Sequence, residues 1–386
     1  MDSVLVLGGG KIGAVVAELL AHATTQGCGD YHVTLADCCG AALAGAPRHP
    51  RIDTLLLDVC DSAALQAALR GRFAVLSALP YMLSVGVAEA ARGDAGRPGC
   101  HYLDLTEDVA STRRIRQIAA DAAHAFIPQC GLAPGFVGIV AADLARSFKT
   151  LDTVRMRVGA LPVFPSNSLN YNLTWSTEGV INEYCESCEA IADGRRIQVP
   201  ALEEREEFSL DGVLYEAFNT SGGLGTLCET LDGQVRTLNY RTIRYPGHAA
   251  VMKTLLHDLR LKDRRGLLKD ILENALAATT QDVVIVFVTA SGLRDLGQGE
   301  MRFMQESVVR KIYSQVLHGS VRSAIQITTA SSLCAVLDML RAGRLPQAGF
   351  VKQEEIALGA FVENRFGRIF AEQALTAGAA PLRLAA

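Results

Sequence analysis

The stretch VLVLGGGKIGAVV places Gly8, Gly10 and Gly13 in G-x-G-x-x-G spacing, directly after an apolar run and directly before an Ala/Val/Leu-rich segment. In that context the first glycine permits a tight turn, the second lets a pyrophosphate approach the backbone, and the third lets a helix pack closely on its strand. The N–H groups of the helix start, with Lys11 and Ile12 in the turn, then face the phosphates. A second run, HVTLAD, ends in Asp37, whose carboxylate can accept hydrogen bonds from both hydroxyls of an adenosine ribose. Cys38, Cys39 and Gly40 follow, with no Arg or Lys to balance a 2′-phosphate. NAD is therefore expected as cofactor, with NADP less favoured. Asp58 and Val59, closing LLLDV, are placed to edge the adenine, and Ser77, Ala78, Leu79 and Pro80 to lie beside the nicotinamide ribose.

Further polar groups fall where such a fold binds ligands, beyond the carboxyl ends of its strands. HYLDLTED carries Asp104, Thr106 and Glu107, and PQCGLAPGF carries Cys130 and a Gly/Pro turn leading to Phe136. Asp104 could accept a proton or bind an amine, or could cap the helix expected from Val109. Cys130 has no His beside it in sequence to act as its base, which favours a packed thiol. EAFNTSGGLGT offers Thr220 and Ser221, and NYRTIRYPGH gathers Arg241, Arg244 and His248. Three positions apart on a strand, the two arginines face opposite sides, so one of them is expected to reach a site and hold a carboxylate in a bidentate fork. His248 could take a proton from an amine near neutral pH. Cys185 and Cys188 form a lone C-x-x-C without a second pair or a nearby His, so no metal is expected.

The elements that position these groups alternate β-rich runs with helical stretches along the first part of the chain: VLVL, HVTLAD, DTLLLDV, FAVLSALP, HYLDL and AFIPQCG, separated by Ala/Leu-rich segments. This rhythm predicts an α/β fold with an N-terminal Rossmann, doubly wound parallel sheet over 1–135. After Pro134-Gly135 the pattern changes to period-2 alternation in VRMRVGALP and QVRTLNYRTIRY, with a further strand at DVVIVFV. That predicts a second α+β domain over 136–320, for substrate and for dimerisation. A helical return over 321–386, around ITTASSLCAVLDMLRAG, is expected to pack back on the first domain.

With 386 residues, 49% of them hydrophobic, the chain can bury sizeable cores, and its net charge of -4 excludes a strongly basic surface for nucleic acid. No apolar run reaches membrane-spanning length. Ten scattered cysteines and no charged-then-apolar leader give the expectation of a reducing cytoplasm. A sheet with one apolar face gives the expectation of a homodimer or a dimer of dimers.

GGGKIG, HVTLAD, YLDLTED, CGLAPGFVGIVA, NYNLTWSTEGVINEYCESCEAIADGRRIQVPAL, EAFNTSGG and RTIRYPGH, in this order over about residues 1 to 260, resemble the saccharopine dehydrogenase family, most closely its short members such as the L-lysine 6-dehydrogenases. The resemblance implies an NAD(P)-dependent amine dehydrogenase acting on the ε C–N bond of lysine or of saccharopine, the latter with release of L-glutamate; both reactions yield 2-aminoadipate 6-semialdehyde. Such chemistry needs an uncharged amine, a dry pocket and an anchor for the distant carboxylate. His248 or Asp104 is expected to take the proton, Trp175 and Phe136 to form walls, Arg241 or Arg244 to hold the carboxylate, and Thr106, Cys130, Thr220 and Ser221 to face the small amino-acid substrate. The alternatives are an opine or carboxyspermidine-type reductase and a non-catalytic NAD-binding sensor.

Overall fold

The computed structural model describes residues 1–94 and 96–371. Its first layer is a parallel sheet built on β1 (Asp2–Leu7), β2 (Tyr31–Asp37), β3 (Ile52–Leu56), β4 (Ala74–Ser77), β5 (His101–Asp104) and β6 (Ala125–Ile127). Spatial order runs β6-β5-β4-β1-β2-β3, and the short strand Gly349–Phe350 adds parallel to β6 at the far edge. The order reverses beside β1, which creates the switch point where such sheets bind ligands. Helix α1 (Lys11–His22) starts straight from the glycine turn and buries Val15, Val16, Ala17, Leu20 and Ala21. The excess residues expected as a loop before β2 form a small hairpin, Thr24–Thr25 with Cys28–Gly29.

A second, mixed sheet contains β7 (Thr150–Pro162), β8 (Cys188–Ala192), β9 (Arg195–Val199), β10 (Glu206–Leu210), β11 (Val213–Asn219), β12 (Thr237–Arg244), β13 (Asp282–Asp295) and β14 (Met301–Tyr313). Its main path is β9-β8-β12-β7-β13-β14, and β11 joins β12 while carrying β10. The pairs are antiparallel except β7 with β12, whose register sets Thr242 opposite Val158. Helix α2 (Thr177–Cys185) lies over this sheet; Ser176 caps it by accepting from the Gly179 N–H at 3.2 Å.

One hydrophobic core runs from β1, β2 and α1 through helix Phe136–Arg146 to the inner face of β7, β12 and β13. Helix α3 (Ala324–Arg341) packs in that core, its N-terminus held by a Ser323–Gln326 capping box and by the buried Asp282 carboxylate, which accepts from the Ile325 N–H at 3.1 Å. Phe136 stacks on Phe370 with 3.9 Å between ring centroids, and Arg365 pairs with Asp30 and Asp338. The chain end up to residue 371 thereby braces the first sheet.

Candidate active site

Each glycine of the first turn meets a distinct steric demand. Gly8 has φ +97°, and a Cβ there would lie 2.8 Å from the Ala78 carbonyl oxygen. A Cβ on Gly13 would lie 1.8 Å from the Gly8 carbonyl oxygen, whereas one on Gly10 would meet nothing within 4 Å. So the outer glycines are needed for the turn and for helix packing, while the middle one opens onto free space, as a pyrophosphate at the α1 N-terminus requires. Asp37 closes the turn: its carboxylate accepts from Gly9 N–H and Cys39 N–H, each at 2.7 Å. These residues fit a nicotinamide dinucleotide.

From this turn a cavity of about 850 Å³ extends between the two sheets. Gly10, Lys11, Ile12 and Gly13 line its start, with Ala78, Leu79 and Pro80 from the end of β4. Its far wall is Trp175, Glu183, Tyr240, Thr242 and Arg244, and Glu107 lies on the side nearer the first sheet. Glycines again make the shape possible. Gly179 leaves room for the Trp175 ring, which a Cβ would approach to 2.3 Å, and Gly222, at φ +85°, packs on the Glu107 backbone. Gly8 and Asp37 stand behind the turn. Ser77 is buried, and Asp58 and Val59 sit in the loop after β3, with Asp58 accepting from Cys60 N–H at 2.9 Å; none of the three lines the cavity.

Strand alternation in β12 points Tyr240, Thr242 and Arg244 into the cavity and turns Arg241 to the opposite face, where it pairs with Glu204 and Glu206 at 3.1 Å. Arg244 is 2% exposed. Its Nε donates to Tyr184 Oη at 2.9 Å, and its Nη1 to the Ile243 carbonyl at 2.8 Å. Tyr184 Oη in turn lies 3.1 Å from His248 Nε2, and His248 Nδ1 lies 2.8 Å from the Leu169 carbonyl oxygen. Because a carbonyl can only accept, Nδ1 carries the hydrogen, Nε2 accepts, and Tyr184 donates to it. Burial, reinforced by the charge of Arg244, pushes the His248 pKa down to about 3, which keeps the ring neutral. The Arg244–Tyr184–His248 chain fixes the guanidinium, with His248 behind the cavity wall. His248 itself follows the Gly247 turn, whose N–H and that of Ala249 are held by the buried Glu216 carboxylate at 3.1 and 2.7 Å.

Asp104 also lies behind the wall. It accepts from Tyr102 Oη at 2.6 Å and from the N–H groups of Thr106 and Gln129 at 3.0 and 2.9 Å, and burial raises its pKa to about 6. It ties the loop after β5 to the loop after β6. Thr106 and Cys130 belong to this packed layer: Thr106 accepts from Asp108 N–H at 3.2 Å, and Cys130 donates to the Ile127 carbonyl at 2.9 Å. Thr220 bonds Thr242 at 2.7 Å, while Ser221 is buried beside it and Phe136 is in the core. Of the side chains expected to meet substrate, Trp175 and Arg244 line the cavity.

Two carboxyl groups that line the cavity are pushed well above the ordinary glutamate range. Burial raises Glu107 to about 7, with Asp108 and Asp104 adding to the shift. Burial raises Glu183 to about 8, with Glu107 adding and Arg244 opposing. Glu183 had no distinguishing signal in sequence, since INEY reads as an ordinary helix segment; its significance comes from the burial of α2 against β12.

A Rossmann sheet with a dinucleotide turn, facing a second sheet across a shared cavity, defines a two-domain nucleotide-dependent dehydrogenase architecture. The chain belongs to the saccharopine dehydrogenase family: residues 4–127 match the family's NADP binding domain and 131–368 its C-terminal domain. Saccharopine dehydrogenase (NADP(+), L-glutamate-forming) of Saccharomyces cerevisiae is 26% identical over 281 residues, covering 68% of this chain and 59% of that protein. The chain thus spans less than two thirds of that relative's length in the match. The apo saccharopine dehydrogenase (L-Glu forming) structure from S. cerevisiae superposes with a TM-score of 0.71 at 16% identity, covering 94% of this chain and 97% of that one. A homospermidine synthase from Legionella pneumophila, solved in complex with NAD, gives 0.62 at 13% identity, with 96% and 90% covered. These two structures are similar in fold. Among the described residues no helix is long and apolar enough to cross a membrane.

Proposed function

We propose that this chain is an NAD-dependent oxidoreductase that oxidises the ε C–N bond of lysine, free or within saccharopine, to give 2-aminoadipate 6-semialdehyde. The observation that carries this reading is one cavity bounded at one end by the glycine turn and at the other by the buried Arg244 guanidinium. The nicotinamide, when bound, supplies the hydride acceptor. The chain's residues hold the rest: Arg244 anchors a carboxylate, Trp175 and Leu173 exclude water, and Ala78 to Pro80 border the nicotinamide end. In this reading Asp104 and His248 are positioning residues, the first for the loops around the cavity and the second for Arg244 through Tyr184.

NAD is preferred over NADP because the Asp37 carboxylate, fixed at the end of β2, would repel a 2′-phosphate. Residues 1–135 bind the cofactor, 136–320 the substrate, and 321–371 brace the first domain, while the remainder of the expected return, 372–386, lies outside the described residues. A homodimer fits the open edge of β14, where Phe303 and Tyr313 are exposed, and ten cysteines with no disulfide among the described residues fit the cytoplasm.

Saccharopine remains the second reading, favoured by Arg265 and Lys269 at the cavity wall, which could receive further carboxylates if released from Glu186 and Glu178. The test is NADH formation with L-lysine and with saccharopine, assaying ammonia and glutamate. Turnover of either substrate supports the proposal; turnover only in the direction of amine plus carbonyl would replace it with a reductase, and tight NAD binding without turnover would leave a sensor.

A further inference from the structure

Within the proposed activity, we infer that Glu107 and Glu183 select a substrate with two ammonium groups and one carboxylate, and that Glu107 takes the proton from the amine to be oxidised. Both glutamates line the cavity. Glu183 is 6% exposed and its carboxylate has no hydrogen-bond or ion-pair partner among the described residues; Glu107 is half-buried and has only its own backbone N–H. A buried, unpaired carboxylate aimed into a cavity is costly unless a ligand pairs with it. Arg244 interacts electrostatically with Glu183 but forms no direct ion pair with it, and it lines the same wall.

The placement matches an α-amino acid with a distal amine. The α-carboxylate meets Arg244, and the α-ammonium meets Glu183 on the same wall. Glu107 follows β5, the neighbour of β4, so it stands on the side where Ala78 to Pro80 border the nicotinamide end. The distal ammonium falls there. Its proton passes from nitrogen to the Glu107 carboxylate, leaving a neutral amine and a carboxylic acid, and the nitrogen lone pair becomes available as the C–H bond breaks. Charge supports the choice of substrate: with both glutamates ionised, the pair and Arg244 sum to -1, complementary to a diamino monocarboxylic acid at +1. Saccharopine, with three carboxylates, carries the same sign as this cluster of three.

The charged and titratable groups facing the pair are Arg244 and Tyr240 from β12, Tyr184 from α2, Tyr171 before it and Cys188 after it, Asp104 at the end of β5 and Asp108 in the loop that follows, while Lys11 from α1 lines the same cavity. At the wall beyond stand Glu273 and the Glu178–Lys269 and Glu186–Arg265 pairs. Glu107 must be ionised to accept a proton, and burial holds it near 7. The wild-type kcat/KM for lysine therefore rises with pH through this region, and the limb disappears in Glu107→Gln.

The test is calorimetric titration of L-lysine, L-norleucine and saccharopine into the wild-type protein with NADH bound, into Glu107→Gln and into Glu183→Gln, together with steady-state rates. Norleucine keeps the α-amino acid head and lacks the distal ammonium. The inference predicts that wild type prefers lysine to norleucine by at least about tenfold and binds saccharopine more weakly than lysine. Glu107→Gln abolishes the lysine preference and lowers kcat by about 100-fold or more, with partial recovery in Glu107→Asp. Glu183→Gln weakens lysine and norleucine alike. Wild-type turnover with an unchanged lysine preference and rate in Glu107→Gln, or tighter saccharopine than lysine, would overturn the inference while leaving the dehydrogenase reading intact. No binding or turnover of lysine or saccharopine by wild type would refute the reading itself.

Discussion

Replacing Glu183 by Gln should stabilise the folded protein at alkaline pH even as it damages the site. The group's ordinary pKa of 4.5 is pushed up to about 8 by burial, so the folded state holds the proton over a pH range where the unfolded state has released it. Stability from this group is fully present below the unfolded value and is lost as pH rises through the folded one. A span of about 3.5 units at about 1.4 kcal/mol each sets an upper bound near 5 kcal/mol for the penalty above pH 8. Water that enters the cavity and screens the carboxylate lowers the expected gain in Glu183→Gln to about 2 kcal/mol at pH 8.5. At pH 4.5 the linkage difference falls below about 0.5 kcal/mol, because the folded state is then protonated and the unfolded one half so. Urea denaturation of wild type and variant without ligand, at pH 4.5, 6.5 and 8.5, reads this directly. A variant less stable than wild type at pH 8.5, or a difference that does not grow with pH, would refute the burial argument and with it the account of Glu183 as a carboxylate held for a ligand.

Asp37→Ala removes the acceptor for the Gly9 and Cys39 N–H groups and for the ribose, and should weaken NADH binding at least about tenfold by fluorescence titration; unchanged affinity would remove Asp37 from the cofactor site. Gly13→Ala sets a Cβ 1.8 Å from the Gly8 carbonyl oxygen, and should lower stability by more than about 2 kcal/mol in denaturant melts while abolishing NADH binding; a variant that melts and binds as wild type does would show that the turn can open. Tyr184→Phe strips Arg244 Nε of its partner, an unpaired buried donor worth about 1–3 kcal/mol. The KM for lysine should rise about tenfold with a smaller change in kcat, and an unchanged KM would exclude the Arg244–Tyr184–His248 chain as the anchor's support.

The first sheet could be read from the sequence because its strands and helices alternate at short range and its glycines sit where only glycine fits, as the contacts around Gly8 and Gly13 show. The strand Gly349–Phe350 could not, since two residues carry no period, and it forms only because the chain end is brought back to β6. Period-2 alternation in QVRTLNYRTIRY separated Arg241 from Arg244 by face, but which face meets the cavity depends on β7 and β11 flanking β12. The titratable side chains divide in the same way. Asp104 and His248 stand out in sequence by type and motif, yet long-range partners enclose them: Gln129 for one, Tyr184 and Leu169 for the other. Glu183 is unremarkable by type and becomes distinctive only through burial, which no local pattern encodes.

The most direct test of the central claim follows the hydrogen itself. L-Lysine deuterated at carbon 6 and, separately, at carbon 2 would be incubated with the protein and NAD, and the mass of the NADH formed would be measured. The account predicts NADH heavier by about one mass unit from the carbon-6 label and unlabelled NADH from the carbon-2 label, because hydride leaves the carbon bearing the distal amine held by Glu107. Deuterium arriving from carbon 2 instead would place the α-amine at the nicotinamide and reverse the orientation set by Arg244 and Glu183.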